Sequence, residues 1–511
     1  MIRIVASVRG TTSLSSARSF STLPDFRFII RSKNRTMTTP DFDDSLVERL
    51  FPAPTFASAF TSPSAPTPNA GVTPESTATL RRLLIENHKR FHIFFNDRRF
   101  HNHISHHLFA AYGIGAPGHV LQAAFDEHVG YQRLSYKSPE PITHENWKKH
   151  LGNDDYYNAY MNFFSEEIQK HGLSQTFEKF IFSHEANWAK DEARMLDRFM
   201  SGLLHPLIHF GHAAEFGVEG MAVEGLAQAA VNRVDHEKFY EACYFNSSNS
   251  DGGCTSSLTP PLSSISSNTK PQHTHAFTIL ERILKDGRLA VGKACAQDSQ
   301  DQITDILNNE GKIIQEYASM WKTSEDEKEI QERAEELAWL VALMFGIGGW
   351  KNDREFKADF YLVHLVTSNL FIPSILLLLR PAHRVELLRA YFLAILGWFV
   401  SRGRPALDVK GFFSSVTVDP KPEHSESLTD SSEPVGNPWY TLLTHTVPHR
   451  DEHHVKAERA LAHSAALYGT RAKGHFSHTE LKGAEEIDGT LFIRTGGLLM
   501  GALKWTYRVK K

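Results

Sequence analysis

Residues 201–232 read SGLLHPLIHFGHAAEFGVEGMAVEGLAQAAVN, and this stretch decides what kind of fold the chain adopts. Its apolar residues recur at helical spacing, with no sustained strand-type alternation. Pro206 suits the first turn of a helix, where its missing N–H costs little. At about 100° per residue, His205, His209 and His212 fall within a narrow arc of one helix face. Glu215 lies one turn beyond His212, and Glu224 follows on the next apolar run. Imidazoles and carboxylates facing one side could bind a metal or move protons. A single buried His is more often a core residue donating to a backbone carbonyl, but the clustering favours function.

The same helical pattern extends outward in both directions. Residues 77–95 space Leu80, Leu83, Leu84, Phe91 and Phe95 as one helix face. Residues 155–171 place Tyr156, Tyr160, Phe163 and Phe164 on one side, and residues 325–345 turn from acidic to apolar through Leu337, Leu340, Val341 and Met344. The expectation is an all-α fold, a large multi-helix single domain over 77–511 with disordered insertions and no definable repeat. The run FYLVHLVTSNLFIPSILLLL at 360–379 is about as long as a membrane span. His364, Thr367, Ser368, Asn369 and Pro373 interrupt it, and a second apolar helix follows at 386–400, so two buried helices of a bundle are expected instead.

Composition narrows the function. The 511 residues carry 41% hydrophobic and 22% charged residues, ordinary for a globular protein, and a formal net charge of −4. That charge gives no electrostatic footprint for nucleic acid, and no basic stripe or RNA-binding motif supplies one. The three cysteines, Cys243, Cys254 and Cys295, lack metal-site spacing and make a poor disulfide framework, which implies a reducing compartment. Residues 1–36 are Arg- and Ser-rich with Asp25 the lone acid, the composition of a mitochondrial transit peptide. Met37 also opens an ordinary cytosolic start, so a cytoplasmic and a mitochondrial location both stay open. Residues 37–76 read as a flexible lead-in, and 246–272 and 419–436 as disordered loops.

Two further histidine clusters stand out. HNHISHH at 101–107 puts His103 with His106 and with His107 at helical spacing. HTVPHRDEHHVKAERALAHSAALYG at 445–469 opens a helix with Asp451, Glu452, His453 and His454, where acids suit the helix dipole. The literal nucleotide fingerprint at Gly113–Gly118 lacks the strands it needs, and Pro117 removes a donor, so a helix–helix connector is expected. No P-loop, GxSxG elbow, HExxH or EF-hand is present.

Five ordered stretches then point to a family. FHNHISHHLFAAYGIGAPG followed by Tyr131-Gln132, NWKKHLGNDDYYNAYMNFF, SGLLHPLIHFGHAAEFG with AVEGLAQAAV, DFYLVHLVTS, and HRDEHHVKAERAL together resemble the questin oxidase-like family over about residues 77–511. The resemblance implies an oxidoreductase of fungal polyketide metabolism. It would perform a Baeyer–Villiger-type oxygen insertion and ring cleavage on an anthraquinone-like substrate, with NADPH and O2 and no tightly bound flavin. The lack of a credible Rossmann fingerprint, and of the F-x-G-x-x-x-H-x-x-x-W signature, agrees with that.

In this expectation a His base deprotonates a phenol, the electron-rich ring meets O2, and a peroxide attacks the adjacent carbonyl. His205, His209 and His364 are the candidate acid–base groups, Glu215 would orient one imidazole, and His103 and His453 are further candidates. Arg404, in the turn Arg402-Gly403-Arg404-Pro405, and Lys456 are candidate contacts for NADPH phosphate. This reading assigns no metal. Its rivals are a metal-dependent oxygenase with His and Glu ligands from the 205–215 helix and its neighbours, and a non-catalytic helical scaffold, which would leave those side chains scattered.

Overall fold

The computed structural model describes residues 40–234, 239–241, 245, 273–290, 292–294, 301–419, 436–502 and 505–506. The expected targeting extension at 1–36 and the loop at 246–272 lie outside these residues, as does all but the edges of the loop at 419–436. The described residues belong to one compact unit, Thr39–Lys511. It is all-α: among the described residues the named strands are Ala358–Asp359 and Trp505–Thr506, a short parallel pair.

Local chemistry sets the helix ends. Thr73 accepts from the Ser76 backbone N–H while the Ser76 hydroxyl accepts from that of Thr73, a capping box, and Pro74 opens the Pro74–Arg90 helix. That helix starts earlier than its apolar spacing suggested and stops at Arg90, because Phe91 turns extended and bridges Leu134. Asp326 caps Glu327–Gly349 through the Glu329 N–H, with Glu327 and Glu329 in the first turn where the helix dipole favours acids. The apolar run at 360–379 becomes two helices, Phe360–Asn369 and Ile372–Leu376, the second opened by Pro373, and Pro381–Ser401 follows. No helix among the described residues is long and apolar enough to cross a membrane. The glycine fingerprint connects the helices Ile104–Gly113 and Gly118–Val129, with Gly115 at φ +90°.

One expectation is corrected. Over its described part the 37–76 segment is packed, not a loose lead-in. Asp43 caps the helix Asp44–Leu50, Phe51 is fully buried, and Phe56 lies against Phe216 with ring centroids 4.9 Å apart. Ser64 donates to Gln331 over 2.8 Å. Pro, Ser and Thr gave this stretch no periodicity, but its two buried phenylalanines, Phe51 and Phe56, carry enough apolar surface to hold it down.

Four helices converge at the centre. Ile104–Gly113 and Phe360–Asn369 each pack against both His205–Phe216 and Glu452–Tyr468. The His205–Phe216 helix is approached closely because Gly211 has no side chain: a Cβ there would meet Phe371 Cβ and Cγ at 2.4 Å. Gly211→Ala is therefore expected to overpack this contact and cost about 1–3 kcal/mol. Urea unfolding reads the cost as a lowered midpoint, and a wild-type midpoint would contradict the packing.

Candidate active site

The turn before the His205–Phe216 helix is unusual. Gly202, Leu203 and Leu204 all take left-handed backbone conformations, at φ 59°, 59° and 65°. For each leucine this costs roughly 1–2 kcal/mol, and such strain concentrates at functional sites. The turn delivers the Gly202 carbonyl to His205, whose Nδ1 lies 2.6 Å from that oxygen. A carbonyl only accepts, so His205 carries its proton on Nδ1 and its Nε2 is a bare lone pair.

The same logic holds for two more rings. His364 Nδ1 lies 2.7 Å from the Phe360 carbonyl, so it donates there, and its Nε2 has no partner among the described residues. His103 Nδ1 lies 2.8 Å from Glu452 Oε1. Burial opposes the charge of Glu452, yet His453, His128, Lys456 and His107 hold its carboxyl well below the usual range. Glu452 therefore accepts, and His103 too presents a bare Nε2. That nitrogen lies only 2.6 Å from His205 Nε2. Ligand atoms of His103, His205 and His364 all lie within 4.8 Å of one another.

Neutral rings in this arrangement would set lone pair against lone pair. Something positive belongs between them, a proton or a metal cation. Burial, with repulsion among neighbouring rings and Lys456, pushes the pKa values of all three histidines well below 6.5. An added proton is thus disfavoured on each of them. Histidines whose Nδ1–H is tied to a carbonyl or carboxylate while Nε2 points at a common centre are the usual metal-binding arrangement, and the three residues fit such a cation. His453 adds a further nitrogen: its ring lies 5.0 Å from His103 and 4.9 Å from His364, and its Nε2 has no partner among the described residues. Its Nδ1 faces Asp451 and Glu452 at 3.3 and 3.2 Å. Asp451 is also the N-cap of Glu452–Tyr468, whereas Glu452 turns inward to His103.

The structure thus brings His103, His205, His364 and His453 together, and joins His209 from one side. His209 Nε2 donates to Glu224 Oε2 over 2.6 Å, and its Nδ1 lies 3.0 Å from His106 Nε2. With both nitrogens engaged, His209 acts through its neighbours rather than on a substrate. The orienting carboxylate is Glu224, not Glu215 as the spacing suggested. Glu215 instead pairs with Arg459, which reaches it from the Glu452–Tyr468 helix. Sequence separation hid both facts, since Glu224 and Arg459 lie on other helices. His106 and Glu224 were visible in the sequence, but their roles depend on contacts across 103 and 15 residues.

The two candidate phosphate contacts are placed differently from that expectation. Arg404 Nη1 donates to the Ile283 and Asp286 carbonyls over 2.6 and 2.7 Å. Lys456 is buried within the histidine cluster, where burial pulls its pKa down to about 8 against the opposing pull of Glu452 and Asp451.

A sequence profile of the Questin oxidase-like family matches residues 100–461, and the chain belongs to that family. It is 26% identical over 408 residues to a protein named Baeyer-Villiger monooxygenase dmxR6 from Cryptosporiopsis sp., covering 77% of this chain and 82% of that one. It is 27% identical over 354 residues to the Baeyer-Villiger oxidase mdpL of Emericella nidulans, 66% of this chain and 72% of that one. It is also 27% identical over 302 residues to the Oxidoreductase AflY of Aspergillus parasiticus, covering 58% of this chain and 56% of that one. All the histidines of the cluster fall inside the matched segment.

Buried neutral histidines make stability depend on pH. Burial pushes His92 and His107 down to about 4 and His454 to about 3. Below the unfolded value near 6.5 the unfolded chain binds protons that the folded chain refuses, so stability falls on acidification. Glu386, raised by burial to about 7, and Glu458 and Glu215, also raised by burial, take up protons in the folded state as the pH falls and offset part of this loss. Glu224, held down to about 2, loses stability only below the ordinary carboxylate range. Urea unfolding is expected to show a loss of at least about 3 kcal/mol from pH 7 to pH 5. A flat profile over that range would contradict the neutral cluster.

Proposed function

We propose that this questin oxidase-like protein catalyses an O2-dependent, Baeyer–Villiger-type oxidation that opens a ring of a polycyclic, anthraquinone-like polyketide at the buried histidine cluster. The convergence of His103, His205 and His364, one ring nitrogen from each lying within 4.8 Å of the others, carries this reading. It supports an enzyme over a scaffold, because a scaffold has no use for unprotonated imidazoles gathered in its core. The names of the relatives support the reaction class.

The overall reaction inserts one oxygen between a ring carbonyl carbon and its neighbour. The second oxygen of O2 leaves as water, with two electrons supplied by NADPH and no tightly bound flavin. A redox-active cation suited to imidazole ligands, such as iron or copper, held by His103, His205 and His364, would supply O2 activation. The protein's own contribution begins with the Gly202 and Phe360 carbonyls and Glu452, which hold the three rings with Nε2 directed inward. His453 offers a further nitrogen. The surrounding core keeps water away and strengthens every polar contact within it. Phe109, stacked on His212 at 4.8 Å, and Phe371, edge-on to it at 4.6 Å, give the cluster an aromatic wall.

A second reading rests on the 2.6 Å contact between His103 and His205. With a shared proton in place of a cation, these two rings would be the acid–base pair of a metal-free reaction. Metal analysis of the purified protein separates the two. Stoichiometric iron or copper, lost with turnover in His205→Ala and His364→Ala by about 100-fold or more, is the expected result. The assay follows NADPH- and O2-dependent mass gain of a hydroxyanthraquinone. Full turnover in a chelator-treated, metal-free protein would leave only the proton-sharing reading. Full turnover in both variants would overturn the site.

A further inference from the structure

The last described residues of the chain return to the histidine cluster. Trp505–Thr506 pairs in parallel with Ala358–Asp359, Ala358 opposite Trp505 and Asp359 opposite Thr506. Asp359 caps the Phe360–Asn369 helix through the Tyr361 and Leu362 N–H groups, so this strand is fastened to the start of the helix that carries His364. From there the Trp505 indole N–H reaches a second helix and donates to Asp451 Oδ2 over 2.5 Å. Asp451 is the N-cap of Glu452–Tyr468, the helix that carries His453. One tryptophan thus ties together the beginnings of two helices that supply the cluster.

Asp451 has two tasks besides. Its Oδ1 accepts from the His453 backbone N–H over 2.8 Å and lies 3.3 Å from His453 Nδ1. Glu452 Oε1 lies 3.2 Å from the same ring nitrogen, but that oxygen is already 2.8 Å from His103 Nδ1. A ring nitrogen between carboxylate oxygens carries the imidazole proton, which leaves His453 Nε2 a bare lone pair. That Nε2 has no partner among the described residues, and the ring stands 5.0 Å from His103 and 4.9 Å from His364. With Oδ1 serving both the cap and the ring, the plane of the Asp451 carboxylate decides where the Nδ1–H is drawn. The bond from Trp505 to Oδ2 fixes that plane. An indole nitrogen only donates, so Trp505 can hold a carboxylate but cannot itself be a ligand.

We propose that Trp505 is a positioning residue for the cation site: its indole N–H fixes the Asp451 carboxylate, and Asp451 directs His453 Nε2 toward a cation held by His103, His205 and His364. This inference rests on the cation reading above. An acceptor at the opposite ring nitrogen orients a metal-binding histidine, and losing such a partner weakens a site about 10–100-fold. Here that acceptor is itself held by a residue 54 positions further along the chain. The short strand pair is therefore a latch that sets His453 and the His364 helix in one operation.

The test titrates the full chain, freed of bound metal by a chelator, with Co(II) under anaerobic conditions, followed by visible absorption. Trp505→Phe keeps an aromatic ring beside His453 and Phe360 and deletes the N–H. It is expected to weaken Co(II) binding at least about tenfold and to move the absorption bands toward those of His453→Ala. When Trp505→Phe and His453→Ala are combined, affinity should stay within about threefold of His453→Ala alone, because Trp505 acts through that ring. Asp451→Asn keeps an oxygen for the helix cap but loses the second acceptor, so it should reproduce the Trp505→Phe loss, and Trp505→Phe should add nothing to it. Dissociation constants and band positions are read from the folded fraction alone, so partial misfolding does not imitate these results. Wild-type affinity in Trp505→Phe or Asp451→Asn, or losses that multiply when Trp505→Phe and His453→Ala are combined, would overturn the proposal and leave the cation reading intact. A wild type that binds no Co(II) would overturn both.

Discussion

Two unprotonated imidazole nitrogens 2.6 Å apart in a dry interior are the constraint on which the rest of this site depends. Water would resolve such a contact on a surface. Here His205 is 3% exposed and the His103 side chain 11%, so the resolution has to come largely from the fold or from a bound cation. The fold makes the demand sharper, because it ties each opposite nitrogen to an acceptor and removes the tautomer that would ease the clash. Proteins tolerate such an arrangement when a ligand turns the repulsion into coordination.

The architecture serves that arrangement at some cost. Three successive left-handed residues, two of them leucines, precede His205 so that the Gly202 carbonyl can reach its ring. Glu452 is half-buried beside His103, and the rings and Lys456 around it lower its carboxyl pKa against the opposing effect of burial. Glu215 and Arg459 form a buried pair that links the His205–Phe216 and Glu452–Tyr468 helices. Removing one partner of such a pair is far more disruptive than the pair itself is stabilising. The ionic contacts are thus better understood as fixing the relative position of the helices than as a source of stability.

Much of this was legible in the sequence, and for identifiable reasons. Helical periodicity and the histidine arc at 205–212 survive in any helical fold, so the all-α class and the central helix could be read directly. His103, His364 and His453 could be picked out because each is a polar residue in an apolar or patterned context. What the sequence could not show was pairing across helices. Glu215 looked like the orienting carboxylate because it shares a helix with His212, but the burial of Arg459 claims it. Glu224 lies beyond a helix break and turns back onto His209. Lys456 looked like a free cation because charge says nothing of burial. The packed stretch at 40–76 escaped because two buried phenylalanines have no period.

The most direct test of the account is X-ray absorption at the edge of the metal that copurifies with the protein, read together with the anomalous signal from its crystals. The account predicts one anomalous peak in contact with the Nε2 atoms of His103, His205 and His364, and an absorption spectrum dominated by imidazole nitrogen. No peak at that position in protein grown with iron and copper supplied, with His103 and His205 still in contact, would contradict it.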